Sequence, residues 1–508
     1  MKKILLLFIS LIVIFSLFII FNDRGNEYLK PYLSAYLESK AKKRIEVEVE
    51  HLKIDYNYIE LTAKVNRLST LNAYGDYNLL DKTLNLKYNL KSDGFKSKEF
   101  SFDNKIDVNG TVKGLFNNLD VTGEGLAFDS NLNYTLKVED ELVKNIKIHF
   151  IRADIAQLLL LTAQPAYAKG KIDVDVEIPT LEGKQTKGRA YLVLHSTKLN
   201  EKVLNKEYKL NLPKNTTITA KVDSTIQADL VKFNANINSN LSTIKLSNAH
   251  YNLKKKELFA KYNLFIPELS KLNRLVGKKL QGKMTIDGNI KADKKLYLQG
   301  KTTSFDGVIN FTLQNKQLTS TIKDVSVQKL MYTLAYPQIF KAYIVGKVDY
   351  NLEKEQGEVH SQLNKAQLLP NSLTDLVKQI RGVDLTKERY NETYFNAKLN
   401  KALIDFDFNA KSRTVHISIP SGQINKKTNT INANYKLIVE NKDISGKIKG
   451  NILKPKITID GSQFIKERII DRVKSEIGTE RLKDLEKGLG IGKEEKDMIK
   501  SVLKNIFK

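Results

Sequence analysis

The side chains best suited to metal or acid–base chemistry are few and scattered. The histidines are His51, His149, His195, His250, His360 and His416. None falls in a His-x-x-x-His spacing, and none is paired with a carboxylate in a way that would suit a metal, so they read as isolated strand or surface histidines. The chain has no cysteine, which removes disulfides, thiolate metal ligands and thiol nucleophiles and fits an exported bacterial protein. Gly488-Leu489-Gly490-Ile491-Gly492-Lys493 has the outline of a phosphate loop. A Walker loop needs glycine where this chain has Lys487 and Ser or Thr where it has Glu494, and no strand precedes it. Gly-x-Ser-x-Gly is absent. Asp405 and Asp407 alternate along one strand, so they form its wet face and are not a catalytic pair. The residues therefore predict no enzyme, no cofactor and no metal site. Asp107-Val108-Asn109-Gly110-Thr111 fits an acidic-extended Asn-x-Thr glycosylation acceptor at Asn109. In a chain so rich in Asn and Thr, chance explains that match better.

The elements behind these residues are mostly strands. In Lys171-Ile172-Asp173-Val174-Asp175-Val176-Glu177-Ile178, the apolar side chains Ile172, Val174, Val176 and Ile178 point one way and the acids the other, which is the period of a half-wet strand. A leucine-rich helix is predicted before it, over about 154–164, with Gly170 between helix and strand. The pattern Ala-Tyr-x-x-Gly-Lys-(Ile/Val)-Asp returns at Ala342-Tyr343 with Gly346, and more weakly at Leu280 with Gly282. A duplicated pattern argues against an active site. Gly170, Gly282 and Gly346 read instead as bends where a helix hands over to a long strand. Further helices are predicted at about 267–277, 327–341 and 372–381. Turns are predicted at Tyr74-Gly75-Asp76, Ser92-Asp93-Gly94, Asn109-Gly110 and Gly123-Glu124-Gly125. Ala402–Asn409 is another strongly alternating strand, with Ile404, Phe406 and Phe408 on its apolar side.

Net charge is +26, from 83 basic and 57 acidic residues. Such a balance favours anionic partners. The lysines are spread along the chain, no recognition motif is present, and aromatics do not interleave a basic cluster, so nucleic acid is not a predicted partner. Lys2 and Lys3 precede a run without charge from Ile4 to Phe21. At about 18 residues, or roughly 27 Å as a helix, it just crosses a bilayer core. No Ala-x-Ala cleavage site follows, so residues 1–22 are expected to be an uncleaved, single-pass anchor with the N-terminus inside. Residues 23–44 are expected to form an amphipathic juxtamembrane helix, with Pro31 in its first turn and Lys42, Lys43 and Arg44 at its end. It either lies at the headgroups or caps the first strands. Residues 45–462 then form the β region. The tail 463–508 reads as amphipathic helices that cap the β structure or touch a membrane.

The fold class expected is thus mainly β: an N-terminal transmembrane helix, then an elongated, curled antiparallel sheet with short interspersed helices, then C-terminal amphipathic helices. Roughly thirty strand candidates, about 4.8 Å apart, would make a continuous sheet ~140 Å long. Its apolar face must meet a second layer, fold on itself, or hold something apolar. Alternation alone is equally compatible with a lipid-lined trough and with a dry core filled by side chains.

The single N-terminal anchor, the first strand near Ile45, the leucine-helix-to-glycine strand units and the closing Gly450-x-Ile452-x-x-Pro455-x-Ile457-x-Ile459 together resemble the AsmA-like proteins, including TamB-like relatives among the bridge-like lipid-transfer proteins. The resemblance is one of pattern over most of the chain. It implies an open β-groove standing in the periplasm and lined by apolar side chains, here Ile172, Val174, Val176, Ile178, Ile404, Phe406 and Phe408. The implied partners are phospholipid, the bacterial inner membrane through residues 4–21, and an outer-membrane protein. The implied function is phospholipid transport between inner and outer membranes. The alternative is an assembly or scaffold factor for outer-membrane β-proteins that acts through its sheet edge.

Overall fold

The computed structural model describes residues 23–40, 45–96, 101–102, 105–140, 142–161, 164–181 and 185–460. The expected anchor (1–22), the cations Lys42, Lys43 and Arg44, and the tail 463–508 lie outside them. Among the described residues no helix is long and apolar enough to cross a membrane.

The fold is mainly β, with 62% strand, few short helices, and one antiparallel sheet of 27 strands that is not closed. Most strands pair with the next one in the chain, commonly through a tight turn. The turns are built mostly without glycine. Asn66 and Arg67 have φ of 50° and 59°, and Phe128 and Asp129 have 55° and 51°. Two successive left-handed residues match the twist of the strands they join. The turn expected at Ser92-Asp93-Gly94 is a bend, but Gly75, Gly110 and Gly123 lie inside the strands Ser69–Asn78, Ile106–Leu115 and Asn118–Ala127. For Gly110 and Gly123 the reason is aromatic packing; at Gly75, with φ of 150°, it is the close approach of the Asn85 carbonyl oxygen. Gly110 stands opposite Tyr88 and Gly123 opposite Tyr134. A Cβ on either glycine would come within 2.4 Å of the tyrosine ring. The glycines leave room for rings to lie flat over the backbone, and the two phenolic hydroxyls meet tip to tip.

The expected β region over 45–462 divides into two compact units, Met1–Leu298 and Gln299–Lys508. In the first unit the helix Asp23–Lys40 starts at the expected boundary, so Pro31 falls inside it and not in its first turn. Glu27 then has no Pro31 N–H to accept from. The helix covers the free edge of the strand Val47–Ile54. The Val47 N–H donates to Glu38 Oε1 at 3.0 Å and the Val49 N–H to Ser34 Oγ at 2.9 Å. Leu33 is buried against Val47, Val49, Leu52, Leu84 and Leu86, while Tyr28 and Tyr32 point to solvent. A second helix, Ile155–Leu161, covers a smaller cluster of Phe128, Phe150, Leu158 and Ile172. The helix Glu201–Tyr208 was not predicted. It is eight residues long and buries none of them fully, so its apolar side is only Val203 and Leu204.

The second unit has a filled core. Its helix Ser372–Arg381 matches the predicted span. Asn371 caps it by accepting from the Leu373 and Thr374 N–H groups, and it stops at Gly382, with φ of 71°. Leu373 and Val377 pack down onto Phe340, Leu363, Tyr390, Val415 and Leu437. The helix predicted over about 327–341 is only Val327–Thr333, and the strand Phe340–Asn351 follows. Pro337 disfavours the α conformation at Tyr336 and so separates the two.

Candidate functional site

The predicted lining residues fall into two environments. Phe406 sits in the buried core of the second unit, and Ile404 and Phe408 pack against it. Phe406 is 9% exposed and lies over Gly422 against Phe395, and Phe408 packs edge-on against Phe340. Side chains of the same chain already occupy their contacts. Phe406 thus belongs to a side-chain-filled core, with Ile404 and Phe408 partly buried against it.

Ile172, Val174, Val176 and Ile178 lie on a different surface. Strand pairing places Ile172, Leu194, Ala220, Ile237, Ile244, Leu264 and Ile286 in one lateral row. Val174, Leu192, Val222, Ala235, Leu246 and Tyr262 form the next row, and Val176 pairs with Ala190 beside it. Gly188, Ile226, Val231, Tyr251 and Leu258 extend the same face beyond Ile178. The rows cross the strands from Lys171–Thr180 to Met284–Ala292, a face of roughly 29 by 20 Å at standard strand and residue spacings. Alternation thus continues from strand to strand in register. Most of these side chains are only partly buried. Of the rows, only Ile172 packs against a buried cluster, the small one beneath Ile155–Leu161. Among the described residues, no element lays an apolar core across the rest.

The bend glycines divide as well. Gly170 and Gly282 are bends, the latter with φ of 84°. Gly346 is not: it lies within the strand Phe340–Asn351, opposite Ser361, where a Cβ would meet the His360 carbonyl oxygen at 2.5 Å. Its glycine serves close strand approach. Asn109 is exposed but sits within a strand, where its Oδ1 accepts from Asn89 Nδ2 at 2.8 Å.

The reverse face of the first unit is polar and holds a cavity of about 1100 Å³. Two lateral rows flank it, with Tyr88, Gly110, Gly123, Tyr134, Ile148, Val176 and Ala190 between them. One runs Tyr74, Lys87, Thr111, Thr122, Thr135, Lys147, Glu177, Arg189. The other runs Asn89, Asn109, Glu124, Asn133, His149, Asp175, Tyr191, Asp223. Among the described residues three histidines have a carboxylate neighbour. His360 Nε2 lies 3.4 Å from Glu358 Oε2. His149 Nδ1 contacts Asp175, and His195 Nε2 lies 2.7 Å from Asp173 Oδ2. Burial acts to raise Asp173, but the Arg152 N–H and the His195 ring together outweigh it and hold the carboxyl below its ordinary range. Partners 22 to 26 positions apart have no sequence spacing to betray them; strand register alone brings them together. Among the described residues no group of three His, Asp or Glu side chains could hold a metal ion.

Compared with family models and with curated proteins, the chain matches none.

Proposed function

We propose that this chain is an inner-membrane protein of the bacterial cell envelope, anchored through residues 4–21 with its N-terminus in the cytoplasm and its bulk in the periplasm. In this reading its sheet curls into an elongated apolar groove that takes up phospholipid acyl chains and moves lipid between the inner and outer membranes. The reading rests on one observation: the partly exposed apolar rows from Ile172 to Ile286. A monomer seldom leaves so large an apolar face without an occupant, and acyl chains need no hydrogen-bonding partner from it. Tyr28 and Tyr32, exposed just after the proposed anchor, are residues favoured at a membrane interface. A second reading, an assembly factor for outer-membrane β-proteins, draws on the short strand Lys456–Ile459, which pairs on one side only among the described residues.

The test is native mass spectrometry of the full chain released gently from membranes. Phospholipid should remain bound to the wild type and be lost from Val174→Asp and Val222→Asp, with strand content by circular dichroism unchanged. A lipid-free wild type, or folded variants that keep their lipid, refutes the groove. A lipid-free chain that crosslinks from Lys456–Ile459 to an outer-membrane protein favours the second reading.

A further inference from the structure

The cavity on the polar face is unexplained by lipid binding. We infer that it is a second binding site, for an extended neutral glycan. Three observations carry this.

The first is charge. The whole chain is strongly basic, at +26. The cavity is not: the three cations Lys87, Lys147 and Arg189 are outnumbered by the four acids Glu124, Asp175, Glu177 and Asp223. The charges also pair among themselves, with Lys147 Nζ 3.7 Å and Arg189 4.0 Å from the Glu177 carboxylate. A phosphate-bearing or otherwise anionic ligand would find no net attraction here, whereas surplus lysines are plentiful elsewhere on the chain.

The second is the hydrogen-bonding inventory. Between the charged groups lie amides and hydroxyls, including Asn89, Asn133 and Thr135, which offer donors and acceptors side by side. Sugar hydroxyls both donate and accept, so they can be satisfied along such a row, while a hydrocarbon would strand the polar groups.

The third is the pair of aromatics. Tyr74 and Tyr191 are 45% and 41% exposed and lie toward opposite ends of the cavity. Both stand on the polar face, where an exposed ring gains nothing from the core. A tyrosine presents a flat apolar face and a polar tip, which suits the C–H face of a pyranose ring. A volume of about 1100 Å³ exceeds that of most small-molecule sites and asks for an oligomer.

The experiment is calorimetric titration of cellohexaose, maltohexaose and chitohexaose into the full chain, in a detergent without a sugar headgroup. At least one should bind, with an affinity that barely changes between low and high salt, because no net charge is neutralised. Tyr74→Ala and Tyr191→Ala should each weaken it about fivefold or more. Both rings are exposed, so neither change should alter the thermal melt. Val174→Asp, on the other face, should leave glycan binding intact, which separates this site from the lipid reading. The inference is overturned if none of the three binds at about 10 mM, a range in which even a weak site is visible. It is also overturned if the tyrosine variants bind normally, or if only an anionic ligand binds with strong salt dependence.

Discussion

A matched pair of valine-to-cysteine substitutions tests whether the apolar face is open. Val222 lies in the middle of the partly exposed rows of the first unit, and Val377 is 0% exposed on the buried face of the helix Ser372–Arg381 of the second. The native chain has no cysteine, so each variant carries a single thiol. Valine to cysteine removes little volume and costs about 1 kcal/mol at a buried site. A core opening that costs at least ~5 kcal/mol in the native protein then still costs about 4 kcal/mol in Val377→Cys. At 1.4 kcal/mol per tenfold, a water-soluble maleimide should label that thiol on the order of 10³-fold more slowly than an unfolded reference peptide. Val222→Cys needs no opening and should react within about tenfold of the reference, since a surface thiol is limited only by its local access. Lys221→Cys, exposed on the polar face, is the control. Adding phospholipid vesicles should slow Val222→Cys and leave Lys221→Cys unchanged. If Val222→Cys is as slow as Val377→Cys before any lipid is added, the face is covered by the chain itself and the groove reasoning fails.

Two further outcomes follow from the described contacts. Gly123→Val should destabilise the first unit by about 1–3 kcal/mol, because its side chain must displace the Tyr134 ring; combining it with Tyr134→Ala should recover part of the loss, and strict additivity in thermal melts would refute the ring-over-glycine account. Asp173 is held below its ordinary 3.8, so its stabilising effect is present above that value and lost as pH falls through the lower folded-state value. The melting difference between wild type and Asp173→Asn should thus be present near neutral pH and close in strong acid; a gap independent of pH would show that ionisation is not its source.

Much of the fold was legible because its signal is local. Alternation such as Ile172 to Ile178 depends only on neighbouring residues, and so does the Asn371-to-Gly382 frame of the best-predicted helix. Gly110 and Gly123 misled because a lone glycine reads the same in a turn as under a ring; the ring is on another strand. The turns themselves rest on residues such as Arg67 and Phe128, whose left-handed conformation the strand twist imposes. The candidate site was half legible for a related reason. Val174 and Phe406 have equivalent strand patterns, but Phe406 meets other side chains of its own core and Val174 does not. That difference comes from which helices return over the sheet. The Asp173–His195 and Asp175–His149 contacts depend on register, which alternation leaves open.

Strand-to-next-strand pairing also bears on how such a chain is made and altered. Within each unit, contacts join segments close together in sequence, so ordering one hairpin closes only a short loop and the next can add to its exposed edge. Because Ser34 and Glu38 occupy the outer edge of the first strand, growth is directional: the chain can zip from its N-terminal side as it emerges, leaving one open edge at each moment. A hairpin can then be duplicated or deleted in evolution without rewriting the register of the others, so the number of strands in the sheet is free to change.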